Sequence, residues 1–547
     1  MIRKFGILFF FLITGILVSV GQDLAVEQTI ATVRPFTPSL SSPVTYHVSP
    51  DTVGQDVVDR IIGMGRMDNQ VMKHLDVLTN RFGGRPVGSD AYTNAAEWVA
   101  YCFRSWGLEV EMHEAGTMQV GFNRGPWFGR MLGGEQPMNL HFVTPSYSSG
   151  TKGLQRGPVL IEPRTVAEFE RMRGALKGAW VLVSGDSNGW EIDYSQSGDS
   201  IRADIIAKND SIRKRNEEIT RDNREKNRKD TLIALKNEPP ALFFKEMREA
   251  GILGIIQSAS VPLVALYDRC VVKNPGITFD NLPEIPDIKL DNHQYQLIKQ
   301  MAEERRVFEL EFDIRNHFKM GPVKYYNVTG MLRGTEFPDE FVILSGHLDA
   351  HDSATGGVDC GSGVTSVMEA ARLISQTGAK PKRSILFIAF AGEEFGLLGA
   401  QAWAKSYPDK LDNISNIFNR DGGPLPPVSI TVTEAMYDDF VHICEPLQTI
   451  RPDIPFEVIK GGPFTKPAQL GSTDASVFAI QGVPAISLTE RDVKGYNFNY
   501  REIWHTERDL YTKSIPEYQE HAATVMAVIG WGVANLDHLL SRENLYK

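Results

Sequence analysis

The chain of 547 residues is 42% hydrophobic and 23% charged, an ordinary globular balance with length for roughly two to four domains. Its 57 basic against 68 acidic residues leave a net charge of −11, which excludes a general electrostatic attraction to nucleic acid or anionic lipid.

Arg3 and Lys4 precede an apolar run over 5–20, with Ser19 and Gly21 placed for cleavage before Gln22. That is the pattern of a secretory signal peptide. The run is short for a span of about 20 residues, and no cysteine follows it to carry a lipid. Residues 1–21 are therefore expected to be removed, leaving a secreted or periplasmic protein without a membrane segment. Cys102, Cys270, Cys360 and Cys444 are scattered without a CxxC pair, so neither a zinc ribbon nor a disulfide framework is visible. Cys102 and Cys444 read as small buried residues.

Val71, Leu75, Val77 and Leu78 form a helical stripe that Phe82-Gly83-Gly84-Arg85-Pro86 breaks. A second amphipathic helix over 92–106 presents Ala95, Trp98, Val99, Cys102 and Phe103, and 108–111 alternates as a strand. Between 140 and 290 the pattern changes to short β-like pieces at 158–161 and 179–183, then a helix feeding a strand over 243–256. Within it, the charged stretch 201–237 repeats Ile205, Ile212 and Ile219 every seven residues, predicting a protruding helix or helical hairpin as a solvated insertion.

After Asn327 an α/β pattern resumes. The runs 341–344 (FVIL) and 385–390 (ILFIAF) are continuously apolar, as in parallel strands covered on both faces. A helix is expected over 363–375, strands over 384–390, 416–419, 429–433 and 483–488, and a closing helix over 515–540. The predicted fold is α/β, a mostly parallel mixed sheet flanked by helices on both faces, with a β-rich α+β insertion.

Six polar residues sit at or just beyond these strand ends: His347, Asp359, Glu393, Glu394, Asp421 and His505. Ligands collect beyond the carboxyl ends of strands in open α/β sheets, and two imidazoles with several carboxylates suit two zinc ions. Two divalent cations about 3.5 Å apart repel by about 19 kcal/mol at an effective dielectric near 20, so anionic ligands must surround them. Asp359, Asp421 and Glu394 fit as ligands, leaving Glu393 as general base. Asp349, two residues after His347, reads as the carboxylate that fixes the imidazole tautomer. His442 and His521 read as caps or solvated residues, and His351 as a residue of the rim.

His347-x-Asp349, Asp359, Glu393-Glu394, Asp421 and His505 together resemble the co-catalytic zinc exopeptidase family, which includes secreted aminopeptidases and carboxypeptidase Q. The resemblance extends to the FGGRPVGS segment and the AAEWV helix. It implies two Zn2+ ions bridged by Asp359, one completed by His347 and Asp421, the other by Glu394 and His505, with Glu393 as base. It implies a discontinuous peptidase domain over 55–140 and 322–540, and a connection over 291–321. The insertion 141–290 is similar to a protease-associated domain through 176–183 and 250–256.

Two departures stand out: Cys360 follows Asp359 where the family carries an acid or amide, and the late SDH-like motif reads Ser472-Thr473-Asp474-Ala475. The implied function is metal-dependent hydrolysis of terminal peptide bonds, by an aminopeptidase or dipeptidase, with Tyr496 and Tyr500 as candidate oxyanion donors. The alternatives are glutaminyl cyclase-like acyl transfer with one zinc, or a receptor-like binding protein that has lost its metal. All five ligand positions are filled, which argues against the second.

Overall fold

The computed structural model describes residues 53–133, 137–273 and 276–547; the segment 1–21, expected from sequence to be a signal peptide, lies outside them. Helix α1 (Asp90–Ser105) starts where the Ser89 hydroxyl accepts from the Tyr92 amide at 3.0 Å, a side-chain N-cap. It buries Tyr92, Ala95, Val99 and Phe103. Strand β1 (Glu109–Leu132) then leads out to a second layer made of β2 (Val159–Ile161), β3 (Trp180–Asp186), helix α2 (Gln196–Glu225), β4 (Gly254–Ala259), β5 (Asp287–Asp291) and helix α3 (Asn292–Glu303). The chain returns through β6 (Glu309–Leu332) and continues as β7 (Phe337–His347), α4 (Gly361–Gln376), β8 (Arg383–Phe390), β9 (Ile414–Asn419), β10 (Pro427–Thr433) and α5 (Pro516–Ala534).

The main sheet has seven strands, with the path β9-β7-β8-β6-β1 extended by Met138–Asn139, and Gln155–Gly157 paired to β6. β7 is parallel to both β8 and β9, whereas β8 pairs antiparallel with β6. Every residue of β8 is buried, as its unbroken apolar run requires. Helices α4 and α5 pack together; Val364, Val367, Met368 and Ile374 of α4 and Val525, Met526 and Ile529 of α5 are buried in one core. Each such side chain contributes about 1.5–3 kcal/mol by leaving water.

β1 and β6 form one long antiparallel ribbon, Glu109 opposite Met331 and Leu132 opposite Glu309. One end lies in the main sheet. The other end supplies Met131, Leu310, Phe312 and Ile314 to a core shared with Trp180, Ile256 and Leu290 of a five-stranded sheet, order Phe142–Val143, β5, β4, β3, β2. Tyr295, Ile298 and Met301 of α3 join that core, so 292–303 is a packed helix.

The charged stretch is one helix, α2, followed by an extended strap rather than a helical hairpin. Asn209, Asn216 and Asn223, seven apart on α2, each receive the amide and donate to the carbonyl of a single strap residue: Lys236, Ile233 and Asp230. Those backbone groups are satisfied by side chains, so no second helix is needed. The strand expected over 483–488 is confined to Leu488–Glu490. Pro484 has no amide to offer a ladder, and the Asn416 side chain satisfies both the amide and the carbonyl of Ile486. Helix α5 stops at Ala534, short of 540; the Asn535 amide folds back on the Trp531 carbonyl at 2.7 Å while its oxygen accepts from Lys382. All four cysteines are free thiols. Among the described residues, no helix is long and apolar enough to cross a membrane.

Candidate metal centre

His347 is the last residue of β7, Glu393 and Glu394 follow β8, Asp421 follows β9, and Asp359 precedes α4. Three neighbouring parallel strands thus deliver their carboxyl-end residues to one place, and the tight approach of α4 brings the fourth. His347 Nε2 lies 3.3 Å from Asp359 Oδ1, 3.4 Å from Asp421 Oδ1 and 4.0 Å from Glu393 Oε2. His505 Nε2 lies 3.0 Å from Glu394 Oε2 and 3.8 Å from Asp359 Oδ2. Asp359 therefore presents one oxygen toward each imidazole. His505 adopts φ +58, a left-handed conformation that costs a non-glycine residue on the order of 1–2 kcal/mol.

Asp349 meets His347 chiefly through its backbone and has a second task besides. His347 Nδ1 faces the Asp349 backbone carbonyl at 3.0 Å, with the carboxylate at 3.6 Å. The carboxylate instead accepts from the amides of Glu393 and Glu394, at 3.1 and 3.2 Å. One residue thereby fixes both the ring and the turn that aims the two glutamates.

Two further residues had little signal in the sequence. Asp509 accepts from the amides of Val358 and Asp359 at 2.6 and 3.2 Å, holding the loop ahead of α4, and burial with the nearby Asp359 pushes its carboxyl up to about 8. Arg85, fully buried, donates to the carbonyls of Leu348, Gly83 and Thr355 at 2.7–2.8 Å. Burial lowers its guanidinium to about 10 against the pull of Asp509 and Asp349. Neither role can be read from the sequence, because the partners are backbone groups remote in the chain.

A cavity of about 700 Å³ opens onto the cluster, lined by Tyr267, Asp359, Glu393, Asp421, Tyr500 and His505. Burial raises Glu393 well above the usual carboxylate range, reinforced by Asp421 and Glu394 against the opposing His347. Burial alone would raise Glu394 too, but the imidazoles of His351 and His505 hold it well below that range. Tyr500 lines the cavity, whereas Tyr496 is exposed and bonds to Glu517. Tyr267 arrives from the segment before β5, anchored where Glu507 accepts the Leu263 amide at 3.1 Å.

Cys360 is buried, and its thiol donates to the Arg420 carbonyl at 3.1 Å while lying within 4.8 Å of donor atoms of His347 and Asp421. Ser472 and Thr473 line the cavity; Asp474 is fully buried, its carboxyl raised by burial and by Asp421 and Asp349. His521 is neither cap nor solvated: it is buried on α5 facing the Pro427 carbonyl at 3.2 Å, and burial lowers it to about 4.

Among the described residues, Asp359, Glu393, Glu394 and Asp421 make ion pairs with imidazoles alone and none with lysine or arginine. So many buried acceptors with so few protons fit divalent cations, with oxygen and nitrogen donors in the proportions zinc accepts.

Residues 327–529 match the family Peptidase_M28, Peptidase family M28. Carboxypeptidase Q of Xenopus laevis is 26% identical over 325 residues, covering 57% of this chain and 64% of that protein. Carboxypeptidase Q of Homo sapiens is 26% identical over 308 residues, 53% of this chain and 60% of that protein. The chain thus spans less than two thirds of the length of these curated relatives. A crystal structure of a Peptidase M28 precursor from Shewanella amazonensis aligns with TM-score 0.55 at 20% identity, covering 90% of this chain and 99% of that one, a likeness of fold. The whole strand-end cluster, from His347 to His505, lies inside the segment that matches peptidase family M28.

Proposed function

We propose that this chain is a zinc-dependent exopeptidase, an aminopeptidase or dipeptidase, exported by its N-terminal signal and acting on short peptides. The observation that carries this is the Asp359 carboxylate, which offers one oxygen to His347 and the other to His505, with Asp421 and Glu394 completing the two sides. Two zinc ions, one held by His347, Asp359 and Asp421 and the other by Asp359, Glu394 and His505, would polarise the scissile carbonyl and acidify water.

Glu393, buried beside both groups, takes the proton of the attacking water on a carboxylate oxygen and passes it to the departing amine. Tyr500, kept protonated by burial and by Asp359 and Asp421, donates its hydroxyl to the developing oxyanion. Tyr267, Phe498 and Trp504 give the cavity an aromatic rim that packs on the terminal side chain and excludes water.

Glu393→Gln should keep both zinc ions and its fold while turnover drops by about 10²–10⁴. Turnover within tenfold of the parent would remove Glu393 from the role of base. A panel of dipeptides and end-blocked peptides, scored by release of free amino acid, tests the exopeptidase assignment: cleavage only of internal bonds, or cyclisation without hydrolysis, would overturn it.

A further inference from the structure

The cluster contains an imidazole that the two-ion arrangement leaves unused. His351, only 7% exposed, sits two residues beyond Asp349 with Nε2 3.1 Å from Glu394 Oε2, the oxygen that also faces His505 Nε2 at 3.0 Å. The two rings meet edge to face, centroids 4.6 Å apart, and Tyr267 lies nearly parallel to His351 on another side at 6.4 Å. Among the described residues, neither ring nitrogen of His351 has a hydrogen-bond partner. The contact with Glu394 is close in distance yet lacks hydrogen-bond alignment.

A buried imidazole without partners for either nitrogen is costly unless something absent from the chain satisfies it. His351, Glu394 and His505 each offer a donor atom, all within 4.8 Å of one another, a span one cation bridges. A proton shared with Glu394 would settle only one of the two imidazoles that face that oxygen; a cation between the three settles both.

We propose that His351 is a third imidazole ligand of the centre, binding the same ion as Glu394 and His505. That ion then has two imidazoles and two carboxylates from the protein, counting Asp359, against one imidazole and two carboxylates for its neighbour. The two sites therefore differ in affinity, the His351 side being the tighter. This assignment presupposes the two-ion centre proposed above.

The test uses the full chain stripped of metal and titrated with zinc against a chelating indicator, beside X-ray absorption of the zinc-loaded parent protein. Expected are two zinc ions per parent chain with three imidazoles counted over the pair. In His351→Ala, zinc affinity at one site should fall at least about tenfold while the other is unchanged. Two imidazoles over the pair, or unaltered affinities in His351→Ala, would overturn the assignment while leaving the two-ion centre standing. A parent that takes up no second ion would instead refute that centre. The absorption measurement needs no variant, so it decides even where His351→Ala does not fold.

Discussion

The seven-stranded and the five-stranded sheet both end parallel strands in carboxylates, and the two sets have opposite fates. In the five-stranded sheet, Glu162 after β2 accepts from the amides of Ser184 and Leu242 at 2.6 and 3.1 Å and pairs with Arg164 at 2.9 Å. Asp291, ending β5, accepts from the His293 amide at 2.8 Å and faces His141 at 3.1 Å. In the seven-stranded sheet, Asp359, Asp421 and the two glutamates face one another across imidazoles. A place at a strand end is therefore no mark of function. The marker is the count of donors around the acceptor: supplied in one sheet, deficient in the other.

Removing a carboxylate should accordingly act in opposite directions. Asp421→Asn should abolish detectable turnover and weaken zinc binding at least about tenfold. It should also raise the melting temperature of the metal-free protein, because a buried acid among like charges is relieved. Glu162→Gln should lower stability by about 2–3 kcal/mol, since it turns a donor toward an amide, and leave turnover per folded molecule unchanged. Calorimetry of both metal-free variants checks the pair; the same sign for both would erase the contrast.

A smaller effect sharpens it. Glu191 of the second layer is buried, and burial with Asp268 raises it from 4.5 to about 7 against the opposing Arg269. Because the folded state holds this proton more tightly than the unfolded one, the stabilisation is complete below about 4.5 and lost as pH rises through about 7. Denaturant titrations between those limits should show stability falling with pH, and Glu191→Gln should flatten that slope. A slope equal to the parent's would show that Glu191 does not carry it.

Much of the fold and of the candidate site was legible because the strands around it are apolar without interruption. Runs such as 385–390 admit no solvated face, so Glu393 and Glu394 beyond them had to lie at an internal strand end. What stayed illegible depends on remote partners. Arg85 works through carbonyls of a loop more than 260 residues away, and Tyr267 enters from the second layer. Asp349 was recognised, but its spacing from His347 could not reveal that its carboxylate binds the amides after β8. His521 followed the general habit of isolated histidines, and α5 buries it instead.

The asparagine clamp on α2 also yields the smallest expected effect. Asn216→Ala removes both of its bonds to Ile233 and should cost about 1 kcal/mol, read as faster amide exchange along 230–236 with no change in turnover. Unchanged exchange would mean that the strap is held by other contacts.

The same clamp imposes a rule of lengths. Seven residues of helix rise about 10.5 Å and three extended residues advance about 10 Å, so the two run in step like the scales of a vernier. A deletion confined to either partner throws every rung beyond it out of register. The arm can therefore change length and keep its rungs only by gaining or losing seven helical and three extended residues together.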